Sequence, residues 1–187
     1  MTRKLLLLLL ALLFSLAMFA GCSNGGNANQ TTEAPTEAPT QPPVETLAIG
    51  ETLVLENWEL TVDDIEFLNE LRSGMMVFSP DNDDQIFAYV SVTITNRTEE
   101  RRMMFPSVLQ TPRQLIPYLR YDGGGRRRRV QVRGYGRDAT DRPTNAGSTT
   151  DARLIFQVDA AMGTSAQPLE LEIRTNAGET VGMFELR

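Results

Sequence analysis

The chain of 187 residues has no histidine, one cysteine (Cys22) and one lysine (Lys4). Without histidine it lacks the commonest general base and the commonest nitrogen ligand of metals. A single cysteine excludes an intramolecular disulfide and zinc sites made of cysteine and histidine. Lysine-dependent chemistry, such as Schiff bases and P-loops, is confined to Lys4. We therefore expect no enzymatic activity, no catalytic residue, no cofactor and no metal site. A two-carboxylate hydrolase remains conceivable, but pairs of acidic residues are too common here to indicate one.

The chain opens with an apolar segment. Arg3 and Lys4 precede a run from Leu5 to Phe19, and Ala20-Gly21 leads into Cys22. This junction resembles the lipobox of bacterial lipoprotein precursors, in which the cysteine receives a diacylglycerol and signal peptidase II cuts before it. The resemblance implies that residues 1–21 are a signal peptide and that Cys22 anchors the chain to the extracytoplasmic face of the cell membrane. The alternatives are a transmembrane anchor, for which a run of fifteen residues is short, and a secretory signal with an incidental cysteine.

Residues 22–46 have the composition of a disordered linker. Thr32-Glu33-Ala34-Pro35 is repeated as Thr36-Glu37-Ala38-Pro39, and Pro42 and Pro43 follow. Large apolar residues are too few to offset the entropy of ordering. Proline-rich segments are extended, at about 3.1 Å per residue, so this linker could span at most on the order of 70 Å. We interpret it as a spacer. A proline-rich docking ligand is the alternative.

Residues 47–187 carry the alternation typical of strands. Apolar residues alternate from Trp58 to Val62, and the alternation shifts by one residue at Asp63-Asp64, which predicts a β-bulge. The run from Ile86 to Thr95 is rich in β-branched and aromatic residues, with apolar residues on both faces at its start. It therefore predicts a central strand.

The second half of the domain repeats this pattern. Leu154–Val158 and Leu169–Arg174 alternate, and turn sequences such as Asn145-Ala146-Gly147 and Asn176-Ala177-Gly178 separate the runs. Prolines interrupt residues 97–120, where we expect short edge strands and loops. The fold class predicted from these runs is all-β, an immunoglobulin-like antiparallel β-sandwich.

Three segments resemble a known family. They are Asn57–Ile65, Phe87–Asn96, and the turn Asn145–Ser148 leading to Leu154–Val158. In order, they are similar to the telokin-like, immunoglobulin-fold domain of secreted bacterial lipoproteins, which is related to the phage immunoprotection lipoprotein. The family usually has proline where this chain has Asp159. The resemblance implies an immunoglobulin fold and a lipid-anchored protein of unknown function, and it transfers no catalytic motif.

An acidic run, Asp81-Asn82-Asp83-Asp84, offers the clustered oxygen ligands that calcium requires. It lacks the glycine and the distal glutamate of an EF-hand. We favour a polar loop before the central strand and keep calcium binding as the alternative.

The charges are segregated along the domain. Residues 47–96 hold ten acidic residues and one arginine, whereas residues 97–137 hold eleven arginines and three acidic residues. The arginine cluster, defined as Arg126, Arg127, Arg128, Arg129 and Arg133, is a candidate anion-binding site, because guanidinium groups pair with phosphate and carboxylate. The alternative is that these arginines pair with the acidic strands or form a solvated hairpin. In a strand, successive arginines point to opposite faces, so all four consecutive ones cannot line one surface.

These observations predict a non-catalytic binding or interaction module of the cell envelope. Its partners would be the membrane, through the Cys22 anchor, and an acidic protein or an anionic envelope polymer; we expect no nucleic acid. The alternatives are a passive accessory surface lipoprotein and a calcium- or polyanion-binding protein.

Overall fold

The computed structural model describes residues 44–108, 111–121, 125–128, 138–139 and 142–187, with backbone alone for 126–128. The predicted signal peptide, Cys22, most of the linker, Arg129 and Arg133 lie outside these ranges. Within them, strands dominate, and the one helix is a short 3-10 turn, Ala160–Gly163. No helix in the described part of the chain has the length and apolar character needed to cross a membrane.

The strands are named in chain order. They are β1 (Thr46–Ala48), β2 (Thr52–Val54), β3 (Trp58–Leu68), β4 (Leu71–Ser73), β5 (Met76–Phe78), β6 (Gln85–Asn96), β7 (Leu115–Tyr121), β8 (Gly125–Arg128), β9 (Thr149–Asp159), β10 (Leu169–Thr175) and β11 (Thr180–Glu185).

Two sheets and a ribbon make up the described domain. The four-stranded sheet has the order β2-β3-β6-β9 and is antiparallel throughout. The five-stranded sheet has the order β1-β11-β10-β7-β8, and its pairs are antiparallel except for β1, which runs parallel to β11. β4 and β5 form the ribbon, a separate antiparallel hairpin. The predicted β-sandwich is confirmed.

The core lies between the inner faces of the two sheets. Alternate residues of β3, β6 and β9 meet alternate residues of β7, β10 and β11, as the sequence pattern predicted. Burial of these side chains is the main stabilising term, at about 25 cal/mol per Å² of apolar surface. The fully buried large residues include Leu60, Phe105, Leu119, Leu154, Phe156, Leu169, Leu171, Ile173 and Phe184.

A second apolar cluster covers the start of β6 on the outer face of the four-stranded sheet. Phe87 and Tyr89 pack there with Ile155 of β9 and with Leu71 of the ribbon. The prediction that β6 is covered on both faces at its start is confirmed. The sequence pattern predicted that this face is covered but not by which segment, and the structure shows that the ribbon covers it.

The predicted bulge in β3 is present. Val62 pairs with Val92 and Asp64 with Ser91, so Asp63 is the extra residue. The Thr93 hydroxyl donates a hydrogen bond to Asp63 Oδ2 at 2.9 Å. The bulge keeps Val62 buried and lets Ile65, three residues later, pack against the same core.

One expectation for residues 97–120 is wrong. Leu115–Tyr121 forms a seven-residue strand that lies between β10 and β8 rather than at an edge. The position of Pro117 in β7 explains why the strand tolerates a proline. Pro117 pairs with Ile173 of β10, whereas the described pairing with β8 begins at Tyr118. The missing N–H therefore removes no bond of the described β7–β8 ladder.

The predicted glycine turns at residues 145–147 and 176–178 are confirmed. Gly147 and Gly178 have φ of 62° and 96°, a region that favours glycine. The N–H of Ser148 donates to Asn145 O at 3.1 Å, and the N–H of Gly178 donates to Thr175 O at 2.9 Å.

Asn96, the last residue of β6, ties two loops together. Its amide nitrogen donates to Glu100 O at 2.7 Å and to Thr144 O at 3.0 Å. Its Oδ1 accepts from the N–H of Thr98 at 2.9 Å and from the Thr98 hydroxyl at 2.7 Å. The side chain is fully buried, and this set of bonds satisfies its donors and acceptors.

Candidate functional site

The arginine cluster begins on a strand of the five-stranded sheet. β8 pairs with β7 so that Arg126 is opposite Arg120, Arg127 opposite Leu119 and Arg128 opposite Tyr118. Three of the five residues of the cluster thus occupy consecutive register positions on β8. Arg129 and Arg133 lie outside the described residues, and so do the side chains of Arg126, Arg127 and Arg128.

Arg120 adds a described cation to this edge of the sheet. Its Nη1 lies 3.3 Å from Glu170 Oε2 and contacts the Met183 sulfur at 3.5 Å. Its Nε is buried and has no hydrogen-bond partner among the residues that the structure describes. A buried donor without a partner is uncommon, because desolvating it carries a cost. Arg120 is therefore incompletely satisfied by the groups around it.

Glu172 is the residue that sequence reasoning missed. Alternation along β10 predicts that Glu172 lies on the outer face, since its neighbour Leu171 faces the core. Its side chain is nevertheless only 2% exposed. The Thr180 hydroxyl donates to its Oε1 at 2.7 Å, and Arg174 Nε lies 3.8 Å from the same oxygen. The Arg174 guanidinium also lies 6.0 Å from the centroid of the Tyr118 ring. Only the presence of arginine two positions along the strand hinted at this pairing.

The alternative for the arginine cluster, pairing with the acidic strands, stays a prediction, because the side chains of the cluster lie outside the described residues. An arginine outside the cluster does pair with an acidic strand. Arg97 Nη1 lies 3.2 Å from Glu59 Oε1 of β3. Arg102, by contrast, pairs with its near neighbour Glu100 at 2.6 Å. Arginines of residues 97–120 therefore use both arrangements. Exposed pairs of this kind contribute little to stability, typically under about 1 kcal/mol.

The acidic run at residues 81–84 forms the loop between β5 and β6. The N–H of Gln85 donates to Asn82 O at 3.1 Å, and the N–H of Ala160 donates to Asp84 O at 2.8 Å. These bonds fit the loop interpretation. Throughout the described ranges, no three or more residues of the types His, Cys, Asp and Glu are grouped so that they could hold a metal ion.

A cavity of about 300 Å³ opens beside Tyr121, where β7 and β9 end. Its lining mixes charged and apolar groups, including Asp159, Met162 and Arg187. Arg187 is held in place, because its Nη1 and Nη2 donate to Met162 O at 3.3 Å and its Nε donates to Gln167 O at 3.2 Å. The cavity adjoins β8, since Tyr121 pairs with Gly125. Its size suits a small molecule, and sequence reasoning did not anticipate it.

Comparison with known proteins identifies the fold but no family. The chain matches no model of a known protein family, and no curated protein sequence matches it. Similar solved structures include an uncharacterized β-sandwich protein from Clostridium difficile 630, with a TM-score of 0.56 and 16% identity over 80% of this chain and 100% of that one. They also include a candidate lipoprotein from Staphylococcus aureus, with a TM-score of 0.51 and 13% identity over 78% of this chain and 93% of that one. At such identities the likeness concerns the fold alone.

Proposed function

We propose that this protein is a lipid-anchored, non-catalytic module on the extracytoplasmic face of the cell membrane, and that it binds an anionic polymer or an acidic protein surface. The anchor rests on the Cys22 junction and is supported by the similarity in fold to a candidate lipoprotein. The absence of histidine, and of lysine beyond Lys4, supports a binding role over catalysis.

The observation that carries the binding proposal is the position of β8. The backbone of residues 126–128 belongs to the five-stranded sheet, where β8 pairs with β7 and Arg126 is opposite Arg120. Among the residues that the structure describes, it does not pair with the acidic strand β3, which belongs to the four-stranded sheet. An exposed cluster of cations attracts polyanions. Tyr118 and Tyr121 lie on the neighbouring strand, where an aromatic ring can support a bound group.

We further infer that the sandwich is of the immunoglobulin-like, telokin-like type. The order β3-β6-β9 in one sheet and β11-β10-β7-β8 in the other follows the arrangement A-B-E and G-F-C-C′ of immunoglobulin domains. The three family-like segments supply β3, β6, and the turn that leads to β9. Cross-strand backbone contacts measured by NMR would test this order, and direct β3–β9 pairing would contradict it.

The anchor is tested by fatty-acid labelling. We expect Cys22→Ala to abolish incorporation of labelled fatty acid. A variant that stays acylated and membrane-bound would show that the anchor is elsewhere.

The binding proposal is tested on residues 22–187 carrying Cys22→Ala, produced without the signal peptide and called here the Cys22→Ala chain, with polyphosphate as the anionic probe. Replacing Arg126, Arg127, Arg128 and Arg129 by serine should remove the binding, while the melting temperature changes by less than about 3 °C. The matched control replaces four exposed arginines, Arg101, Arg102, Arg113 and Arg142, and should retain most of the binding. Binding should weaken as salt rises, because screening acts over about 8 Å at physiological ionic strength.

The second candidate function, a passive accessory lipoprotein, predicts the opposite pair of results. If the arginines only pair with acidic residues, the cluster variant loses stability and polyphosphate binding is unchanged. The pairing of Arg97 with Glu59 is the observation that favours this alternative. Equal loss of binding in the cluster variant and in the control would indicate nonspecific charge attraction and would also reject the proposed site.

A further inference from the structure

The tip of the ribbon exposes three consecutive apolar side chains. Met75 is fully exposed, and Met76 and Val77 are 50% and 51% exposed. Single exposed apolar residues are ordinary on protein surfaces, whereas a contiguous group at a protruding turn marks a contact site.

The ribbon presents this tip on a fixed base. Leu71 pairs with Phe78 at the base, and Leu71 is 2% exposed because it packs with Phe87, Tyr89 and Ile155. The turn itself uses Gly74 at φ 60°. The fold thus buries one end of the ribbon on the four-stranded sheet and leaves the other end uncovered.

The charged residues near the ribbon lie at different distances from its apolar tip. Arg72 is the charged residue of its two strands, lies opposite Val77, and pairs with Glu70 at 2.5 Å. The carboxylates Asp81, Asp83 and Asp84 follow Phe78, on the far side of the base. Three residues of strand span about 10 Å, so the acidic loop is set back from the tip by roughly the depth to which interfacial segments enter a bilayer, 5–10 Å.

The predicted tether lets any face of the domain meet the membrane. About 22 residues separate Cys22 from Val44, where the described chain begins. Such a segment reaches at most about 70 Å when extended. A domain of roughly 140 residues has a radius of gyration near 14 Å and a diameter just under 40 Å. The extended tether is therefore longer than the domain is wide, so the tip can reach the bilayer.

We propose that Met75, Met76 and Val77 insert into the interface of the bilayer that carries the lipid anchor, so that the domain lies against the membrane on its ribbon. This inference rests on the proposed Cys22 anchor for its proximity to lipid. Methionine suits the role, because its unbranched thioether adapts to irregular apolar surroundings. At this depth Arg72 would face lipid phosphates, and the acidic loop would remain in water.

The test uses the full lipidated chain in phosphatidylcholine vesicles. Because Cys22 is the sole cysteine and its thiol would carry the lipid, Met75→Cys creates a single free thiol for an environment-sensitive fluorophore. Ala177→Cys, in the exposed β10–β11 turn, is the matched control. We expect blue-shifted emission at position 75 and quenching by lipid-borne bromine several-fold greater than at position 177. Adding Met76→Ser and Val77→Ser should remove most of that difference.

Equal quenching at positions 75 and 177 would overturn the proposal. A blue shift at position 75 without quenching by lipid would also overturn it, because protein rather than lipid would then cover the tip. Tip insertion is tested independently of the anchor by adding residues 22–187 carrying Cys22→Ser, produced without the signal peptide, to excess vesicles. Lipid quenching at position 75 without the acyl chains would uphold tip insertion even if fatty-acid labelling had rejected the anchor at Cys22.

Discussion

The outer faces of the two sheets differ, although their inner faces follow the same alternation. The open end of the four-stranded sheet carries hydroxyls that bond one another across strands, Thr52 with Thr61 at 2.8 Å and Thr95 with Thr149 at 2.9 Å. The five-stranded sheet carries opposite charges in neighbouring positions, such as Arg120 with Glu170. The hydroxyls of the four-stranded sheet form hydrogen bonds with one another. On the five-stranded sheet, the buried Arg120 Nε has no hydrogen-bond partner among the described residues. The comparison favours the five-stranded sheet as the surface for the binding that we propose.

Trp58→Ala should break both sheets at once, because Trp58 belongs to the core that they share. Removing a buried aromatic side chain costs about 3–5 kcal/mol in the free energy of unfolding, which chemical denaturation of the Cys22→Ala chain would measure. Trp58→Phe should cost clearly less. A loss below about 1 kcal/mol for the alanine variant would place the ring outside the core.

Leu71→Ala should loosen the ribbon from the four-stranded sheet and leave the five-stranded sheet unaffected. Leu71 holds the ribbon on Phe87, Tyr89 and Ile155, so we expect a loss of about 2 kcal/mol. Amide hydrogen exchange should speed up first in β4 and β5 and leave β10 protected, since local opening needs less free energy than global unfolding. Equal acceleration in β10 would show that the ribbon folds as one unit with the sandwich.

Thr95→Val should be the mildest change. The side chain is half-buried and bonds to another hydroxyl, Thr149, and valine keeps the shape and the strand propensity. We expect the free energy of unfolding to change by less than about 0.5 kcal/mol. A loss above about 1 kcal/mol would mean that the hydroxyl rows are structural.

The sequence pattern determined the inner faces better than the outer ones. Burial of alternate residues needs only a period of two, so the strand around Val90 and the bulge at Asp63 could be predicted. The strand Leu115–Tyr121 was misjudged because the tolerance of Pro117 depends on where its neighbour begins to pair. Glu172 was misjudged because its burial also depends on Thr180, which only the pairing of β10 with β11 brings beside it. The cavity beside Tyr121 likewise combines distant parts of the chain.

The buried amide of Asn96 has a consequence for producing the protein. Asn96-Arg97-Thr98 is an acceptor sequence for N-linked glycans, and a eukaryotic secretory host can modify it while the chain is still unfolded. A glycan on that nitrogen would replace a donor that bonds Glu100 O and Thr144 O, and it would have no room, because the side chain is fully buried. Chains glycosylated at Asn96 could not close the two loops over β6, so material secreted from such a host would separate into folded molecules without a glycan at Asn96 and misfolded ones that carry it.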